Sequence, residues 1–473
     1  MRSRFHFIGI GGIGMSALAQ ILLARGEAVS GSDLIETGMT ERLSALGVSV
    51  SIGHEAANVS GADRVVVSDA VHEDNPELQR ARELGLPIQR RSQLLAELME
   101  DKRGLAVAGT HGKTTVTAMI GLALLEAGLD PTIVLGGEYG PIGGNARAGG
   151  GEWFVVEACE AYESFLDLRP EIAVVTNIEP DHLDHHGTEE HLRASFGQFL
   201  QHVPAGGALV LCADRPELLN LPLPAGRRVV WYGIGEQAEV RGVGIEAHGG
   251  SGSCSLVVGG RERGRLVVAV PGVHNVTNAL GAVAAAHAAG APFDACLRAL
   301  SEFTGVGRRF ELLGEGSGVT VVDDYAHHPT EIAASIAAAR SAFPGRRLLA
   351  VFQPHLYSRT RDFAEGFAEA LRAADLTVLV EVYPAREAPI PGISSGLIAD
   401  HLRALTGEDA VIEMSKHDMV AKLPSVARKG DVVLAMGAGD IGHFARELAC
   451  RLGVSAIASH QAPAIRCAGS SRP

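Results

Sequence analysis

Lysine, cysteine pairs and long apolar runs are all in short supply here, and each shortage removes a class of function. Lysine occurs only at Lys102, Lys113, Lys416, Lys422 and Lys429 in 473 residues, and the formal net charge is −14. Such a surface repels nucleic acid phosphates and anionic membranes, so neither is expected as a partner, although a local basic pocket for a phosphorylated ligand is compatible with it. Cys159, Cys212, Cys254, Cys296, Cys450 and Cys467 include no CxxC pair, which argues against a zinc ribbon or a thioredoxin-like site. Scattered along a large chain, they suit a reducing cytoplasm. No run of about 20 apolar residues is present, so no membrane span is expected. The opening MRSRFHFIGIGG is basic but meets glycines before a signal-peptide core could form. The expectation is a cytoplasmic protein acting on small molecules, as a monomer or homodimer.

Apolar residues make up 46% and charged residues 20%, the balance of a globular protein. Glycine is abundant at 58 residues and aromatics are few at 5%, which fits an α/β protein with many tight strand-to-helix turns. At about 150 residues per domain the length suggests about three domains. Residues 5–10, 28–32 and 64–68 read as strands alternating with helices at 15–24 and 93–100, the pattern of βαβ units on a parallel sheet. A second α/β unit begins with the strand 104–108 and continues at 153–157, 172–177 and 208–211. Residues 229–270, rich in Gly and Val, read as β-rich, and 275–289 and 293–303 as helices. A third unit has strands at 319–323, 347–353, 376–382 and 431–436. The expected boundaries are 1–102, 103–306 and 307–455, with 456–473 a disordered tail.

The strongest local signal is AGTHGKTT at 108–115, between an expected strand and an expected helix. Glycines let backbone N–H groups wrap phosphate oxygens, and the helix N-terminus adds positive potential. Lys113 would neutralise β/γ-phosphate charge and Thr114 would ligate Mg²⁺. Val107 stands where the usual GxxxxGK[ST] loop has its first glycine, and Gly109 comes two residues late. The bland alternative is a glycine-rich turn with a solvated lysine.

Glu157 closes the apolar run WFVVE, and His182 follows IAVVTNIEPD. In a parallel sheet these strand ends share an edge with the phosphate loop, so both could meet the phosphates of ATP held by Lys113, with a hard cation between. The cluster Asp181, His182, Asp184, His185 and His186 also admits a zinc reading, as does Asp324, His327 and His328; loop residues making caps and turns are the plain alternative. At the N-terminus GIGGIG at 9–14 fits GxGxxG, with Asp33 about 20 residues on. It accepts any nucleotide pyrophosphate. A nicotinamide oxidoreductase remains open on this motif alone but leaves the Lys113 loop unexplained.

Together these segments resemble the Mur ligase family of peptidoglycan synthesis. The resemblance runs from about residue 4 to 455. It rests on GIGGIGMSALA (9–19), GTHGKTT (109–115), TNIEPDHLD (176–184), GVHNVTNALGA (272–282), GRRFE (307–311), DDYAHHPTE (323–331), FQPHLYSRTRDF (352–363), EVYPAREAPIPG (381–392) and MGAGDIG (436–442), in that order. The resemblance implies an α/β protein of three domains: a Rossmann-like N-terminal domain for the UDP end of the substrate, a central P-loop ATPase-like domain with a mostly parallel sheet, and a C-terminal Rossmann-like domain for the amino acid. It also implies ATP and Mg²⁺ as cofactors, with L-alanine joined to the lactyl carboxylate of UDP-N-acetylmuramate through an acyl phosphate.

By the same resemblance, Gly11, Gly12, Ile13, Gly14, Met15, Ser16, Asp33 and Ser68 would hold the UDP substrate. Gly109, Thr110, His111, Gly112, Lys113, Thr114 and Thr115 would hold ATP, with Asn275 and Asn278 at adenine, Arg309 on phosphate and Asp324 near the ribose. Thr114, Glu157 and His182 would ligate metal, and Lys113, Glu157, His182 and Arg309 would be catalytic. Tyr325, His327, His355 and Arg359 would face the amino acid, Arg359 as a bidentate carboxylate clamp. Asn275 as a helix N-cap and Arg359 as a solvated helix start are the plain alternatives. Departures are Cys159 and Tyr162 where many relatives carry acids, and Leu356 where some carry arginine. Other branches use a carbamylated lysine in the central domain; no lysine lies between 113 and 416, which favours the alanine-adding branch over a sibling that adds another amino acid or peptide.

Overall fold

The computed structural model describes residues 2–181, 183–385 and 387–454. His182 and the tail expected from residue 456 lie outside the described residues. The chain folds as two compact units, one of Met1–Val243, Ser255–Leu266 and Thr277–Ser301, the other of Gly244–Cys254, Val267–Val276 and the residues from Glu302 on. Three sheets carry the architecture, and the fold class is α/β with mostly parallel strands.

The first sheet contains β1 (Arg4–Ile8), β2 (Ala28–Asp33), β3 (Ser49–Ile52), β4 (Arg64–Val67) and β5 (Ile88–Arg90). Its order is β3-β2-β1-β4-β5, parallel throughout, so the winding reverses between β1 and β4. That switch point opens a crevice at the strand C-termini, where doubly wound sheets bind ligands. The sequence pattern marks β1, β2 and β4. It does not mark β3 and β5, edge strands that are short and only partly buried.

Beneath this sheet Glu77 is fully buried. It starts a helix, Pro76–Glu83, capped by Asn75. Its carboxylate accepts hydrogen bonds from Ser32 Oγ (2.6 Å), Asn58 Nδ2 (2.6 Å) and His6 Nε2 (3.1 Å). Burial alone would raise this carboxyl, but those three donors bring it down to about 2. A depressed carboxyl contributes stability that is complete above its ordinary 4.5 and disappears as pH falls through 2. Glu77→Gln is therefore expected to cost about 2–3 kcal/mol at neutral pH, with the difference shrinking steadily toward about pH 3, in denaturant melts.

The central sheet contains β6 (Arg103–Ala108), β7 (Thr132–Tyr139), β8 (Gly144–Arg147), β9 (Trp153–Glu157), β10 (Ile172–Val175), β11 (Ala208–Cys212), β12 (Arg228–Gly233), β13 (Val240–His248), β14 (Ser251–Val258) and β15 (Arg261–Val268). The order is β15-β14-β13-β12-β11-β10-β6-β9-β7-β8. Strand β6 runs parallel between β10 and β9. Its residues Leu105 to Ala108 are wholly buried, as expected for a strand covered on both faces. The β-rich expectation for 229–270 corresponds to β12 through β15.

The third sheet contains β16 (Glu311–Gly316), β17 (Val319–Asp324), β18 (Leu348–Phe352), β19 (Leu376–Leu379), β20 (Val411–Glu413) and β21 (Val432–Met436), ordered β16-β17-β21-β18-β19-β20. Among these strands only β16 runs antiparallel to its neighbour. Alternate residues feed two cores. Val322, Phe352 and Leu434 face a layer with Ile336 and Phe367, while Val321, Val351 and Val433 face one with Leu423 and Leu448. Burial of each such side chain contributes about 1.5–3 kcal/mol. The polar residues that follow these strands are thereby fixed at one edge.

Candidate functional site

Strand β6 ends at Ala108 and the helix Lys113–Glu126 begins shortly after, its N-cap Gly112 in the left-handed region at φ 82°. Val107 is a paired strand residue opposite Glu157, not a loop residue, which is why the first loop glycine comes late. Gly109 has φ 134°, and a Cβ there would lie 2.1 Å from Thr176 Oγ1. Only glycine lets the loop pass that hydroxyl. A Cβ at Gly112 would lie 2.8 Å from Asn278 Oδ1, so the Asn278 amide closes over the loop.

The segment after β10 lashes the loop in place. Asn177 Oδ1 accepts from the His111 amide (2.9 Å), Thr176 Oγ1 donates to the His111 carbonyl (2.6 Å), and Thr110 Oγ1 accepts from the Glu179 amide (2.9 Å). Thr110, Thr114 and Thr115 are buried. The His111 imidazole lies 3.4 Å from Glu179.

Lys113 Nζ donates to the carbonyls of Gly109 (2.5 Å) and Thr110 (3.1 Å) and pairs with the Glu160 carboxylate at 2.9 Å. Burial pulls the ammonium down, but Glu160, with Cys159 and Glu157, outweighs it, and the Lys113 pKa is raised. The lysine is thus held charged, at the mouth of its own loop. Glu157, at the end of β9, accepts from Thr114 Oγ1 (3.1 Å) and from the Gly136 amide. A Cβ at Gly136 would lie 2.7 Å from that carboxylate, so β7 needs glycine there. Thr114 and Glu157 present hard oxygen donors to one point beside the lysine, a set that fits Mg²⁺.

Sequence reasoning missed Glu160, Gly136, Thr176 and Asn177. The paired glycines at 136–137 were a usable signal. Glu160 was not, because its partner Lys113 lies 47 residues upstream and nothing in ACEAY marks the residue as buried.

At the switch point of the first sheet, the Gly11 amide donates to Asp33 Oδ2 (2.8 Å), and Gly9 (φ 83°) passes close to Ser68. The helix Ile13–Ala24 starts from Gly12 with no side-chain cap, leaving its first amides for a ligand. Met15 and Ser16 are buried in its first turn; Ser16 Oγ donates to the Ile13 carbonyl (3.0 Å), and a Cβ at Gly14 would touch the Arg91 side chain. The expected UDP-side residues therefore do converge.

The second unit gathers the rest. The Arg309 guanidinium lies over the Tyr325 ring at 4.9 Å and 3.8 Å from Glu331. His327 and His355 rings are 6.0 Å apart, His355 stacks on Tyr383, and Arg359, buried, reaches His355 Nδ1 at 3.5 Å. Arg359 is therefore no solvated helix start. Asn275 Nδ2 donates to the Pro271 carbonyl (2.7 Å). His328 caps the helix Pro329–Ala342.

Asp324 is buried at the end of β17, accepting from Ser335 Oγ (2.6 Å) and the Ala326 amide (3.0 Å). Burial pushes its carboxyl up to about 6, against the Ser335 hydrogen bond and the Arg309 charge. Between its ordinary 3.8 and that value the folded state keeps a proton the unfolded state has lost. Stability therefore falls as pH rises through this window, and the loss is complete above it. Asn removes the charge, keeps the Ala326 amide bond at its oxygen, and can donate its own N–H to Ser335 Oγ. Asp324→Asn is expected to gain about 1–3 kcal/mol near pH 8 and nothing near pH 3, measured by urea melts.

A lysine-bearing phosphate loop at the tip of a parallel sheet, faced by a strand-end carboxylate, is a nucleoside-triphosphate site, and the family matches make the chain an ATP-dependent ligase. Family models agree: the Mur ligase catalytic domain matches residues 4–103, the Mur ligase middle domain 107–286, and the Mur ligase glutamate ligase domain 308–439. The chain belongs to the Mur ligase family. It is 46% identical over 449 residues to the UDP-N-acetylmuramate–L-alanine ligase of Sorangium cellulosum, covering 94% of this chain and 96% of that protein. It is 48% identical to the enzyme of that name from Xanthomonas campestris pv. campestris, covering 94% of each. Among solved structures it resembles the UDP-N-acetylmuramate-alanine ligase of Thermotoga maritima, with a TM-score of 0.81 at 32% identity, covering 95% of this chain and 99% of that one.

Proposed function

We propose that this chain joins L-alanine to the lactyl carboxylate of UDP-N-acetylmuramate at the expense of ATP, releasing ADP and phosphate, in the cytoplasmic synthesis of peptidoglycan precursors. The observation that carries the chemistry is the charged Lys113 held beside the Thr114–Glu157 oxygen pair. The kinship to alanine-adding enzymes carries the choice of substrates.

A carboxylate is a poor electrophile, so it first takes the γ-phosphoryl group, and the amine then displaces phosphate from the acyl phosphate. Positioning and charge neutralisation do most of this work. The loop amides from Gly109 to Thr115 cradle the phosphates, and Lys113 neutralises the charge that builds on the transferring group. Thr114 and Glu157, with His182 by resemblance, would hold Mg²⁺, which supplies further neutralisation of the phosphate oxygens. Asn278, at the lip of the loop, and Asn275 are assigned to adenine, and Arg309 and Asp324 to phosphate and ribose. Arg359, buried and oriented by His355, would clamp the alanine carboxylate, with Tyr325 and His327 beside it. Gly11 through Ser16, Asp33 and Ser68 would receive the UDP end. The expected domain limits, 1–102, 103–306 and 307–455, follow these three tasks.

Purified protein with UDP-N-acetylmuramate, Mg-ATP and one amino acid at a time tests the reading. Phosphate release and a new amide product are expected with L-alanine. Turnover with another amino acid or a peptide, but not with alanine, would transfer the chain to a sibling branch.

A further inference from the structure

Beside the Glu160 backbone lie three side chains that the ligation chemistry does not use. Glu163, His186 and His191 each offer a ligand atom, all within 4.8 Å of one another. His186 is 3% exposed. Its Nε2 faces the Glu160 carbonyl at 3.2 Å, and a carbonyl can only accept, so Nε2 carries the proton. That leaves the Nδ1 lone pair buried with no hydrogen-bond partner among the described residues. His191 repeats the pattern in reverse. Its Nδ1 donates to the His186 carbonyl (2.9 Å), and its Nε2 lies 3.5 Å from Glu163 Oε1. Glu163 Oε1 in turn accepts from the buried Ser195 hydroxyl (2.5 Å).

Imidazoles that ligate metals donate their other ring N–H to a carbonyl or carboxylate, and ligating carboxylates are themselves hydrogen-bonded. All three side chains here meet that condition before any ion arrives. A His191 Nε2 lone pair facing the Glu163 carboxylate is repelled by it unless a proton or a metal cation lies between the two. The backbone adds a second sign. Tyr162 and Glu163 sit consecutively in left-handed conformations that cost of order 1 kcal/mol or more each, and the turn they make aims Glu163 at the histidines. Burial also lowers the His186 pKa, which keeps the ring neutral as a ligand must be.

We propose that Glu163, His186 and His191 form a transition-metal site, suited to Zn²⁺, separate in its residues from the Mg²⁺ position at Thr114 and Glu157. Two imidazoles and one carboxylate are a zinc donor set that leaves a fourth position for water, whereas Mg²⁺ favours oxygen donors. Zn²⁺ bonds of about 2.0–2.1 Å need the three ligand atoms, which already lie within 4.8 Å of one another, to draw inward on binding. The ion would tie the 161–167 turn to the helix Glu189–Gln201. Through the His186–Glu160 hydrogen bond it would also brace the residue that pairs with Lys113.

Co²⁺, a coloured substitute for Zn²⁺, tests this on the full chain in excess Mg²⁺. One equivalent should give the intense visible bands of a tetrahedral site, discharged by Zn²⁺, and Zn²⁺ should raise the melting temperature. His191→Ala, at a half-exposed position that leaves the fold intact, should abolish the bands and the thermal shift while retaining ligase turnover with Mg-ATP. Ser195→Ala should weaken binding about 10–100-fold, and Glu157→Gln should leave the bands unchanged. No bands in the wild type would mean that the trio is an ordinary ion pair. Bands that survive His191→Ala, or vanish in Glu157→Gln, would place the ion elsewhere. Each of these three results overturns the proposal.

Discussion

Lys113→Ala is expected to lower kcat/KM for ATP by about 10²–10³-fold, the cost of removing a positioned electrostatic group from a dry site. Stability should fall as well, and for a separate reason. Glu160 is 1% exposed, and its carboxylate pairs with Lys113 at 2.9 Å. Removing the cation strands a buried charge, which typically costs about 3–5 kcal/mol. Loss of activity in the single variant could therefore reflect a damaged fold. The double variant Lys113→Ala/Glu160→Gln separates the two effects. A neutral amide in place of the Glu160 carboxylate needs no counter-ion, so denaturant melts should recover most of the lost stability, whereas ADP release should stay at the level of Lys113→Ala. Recovery of turnover in the double variant would reduce Lys113 to a counter-ion for Glu160 and remove it from the chemistry.

Long apolar runs closed by glycine or a polar residue were legible in the sequence, because a strand buried on both faces needs such a run. Strands β1, β6, β9, β10, β17, β18 and β21 all follow that rule. Strands β3, β5, β7, β8 and β20 did not stand out. They lie at or next to sheet edges, where a strand needs no continuous apolar run. The misplaced glycine of the phosphate loop looked like a flaw at Val107. It is the signature of a strand that runs two residues further before turning, at a point where only Gly109 fits beside Thr176.

Buried acids were the least legible feature. Glu77 sits in PELQRARE, which reads as a solvated helix, and its partner His6 lies 71 residues upstream on β1. Glu160 sits in ACEAYESF, a stretch with no glycine or apolar period to mark it. Its pairing with Lys113, 47 residues upstream, has no local signature. In both cases a carboxylate becomes significant through what surrounds it in space.

Glu157→Gln should have the second large effect, and a cleaner one. Glutamine is the same size and can keep hydrogen bonds to both the Gly136 amide and the Thr114 hydroxyl, so the fold should change little. What disappears is one negative charge at the position assigned to Mg²⁺. The expected result is a fall of about 10²–10³-fold in kcat with a matching rise in the Mg²⁺ concentration needed for half-maximal rate, and little change in KM for L-alanine. The split matters because a merely structural Glu157 would lower stability without moving the Mg²⁺ dependence. Glu157→Asp provides the complementary arm. It keeps the charge but withdraws it by one methylene from Thr114, so it should retain part of the rate and respond to raised Mg²⁺ where the glutamine variant does not. An unchanged Mg²⁺ requirement in Glu157→Gln would detach this carboxylate from the metal and leave Thr114 without its protein partner in the site.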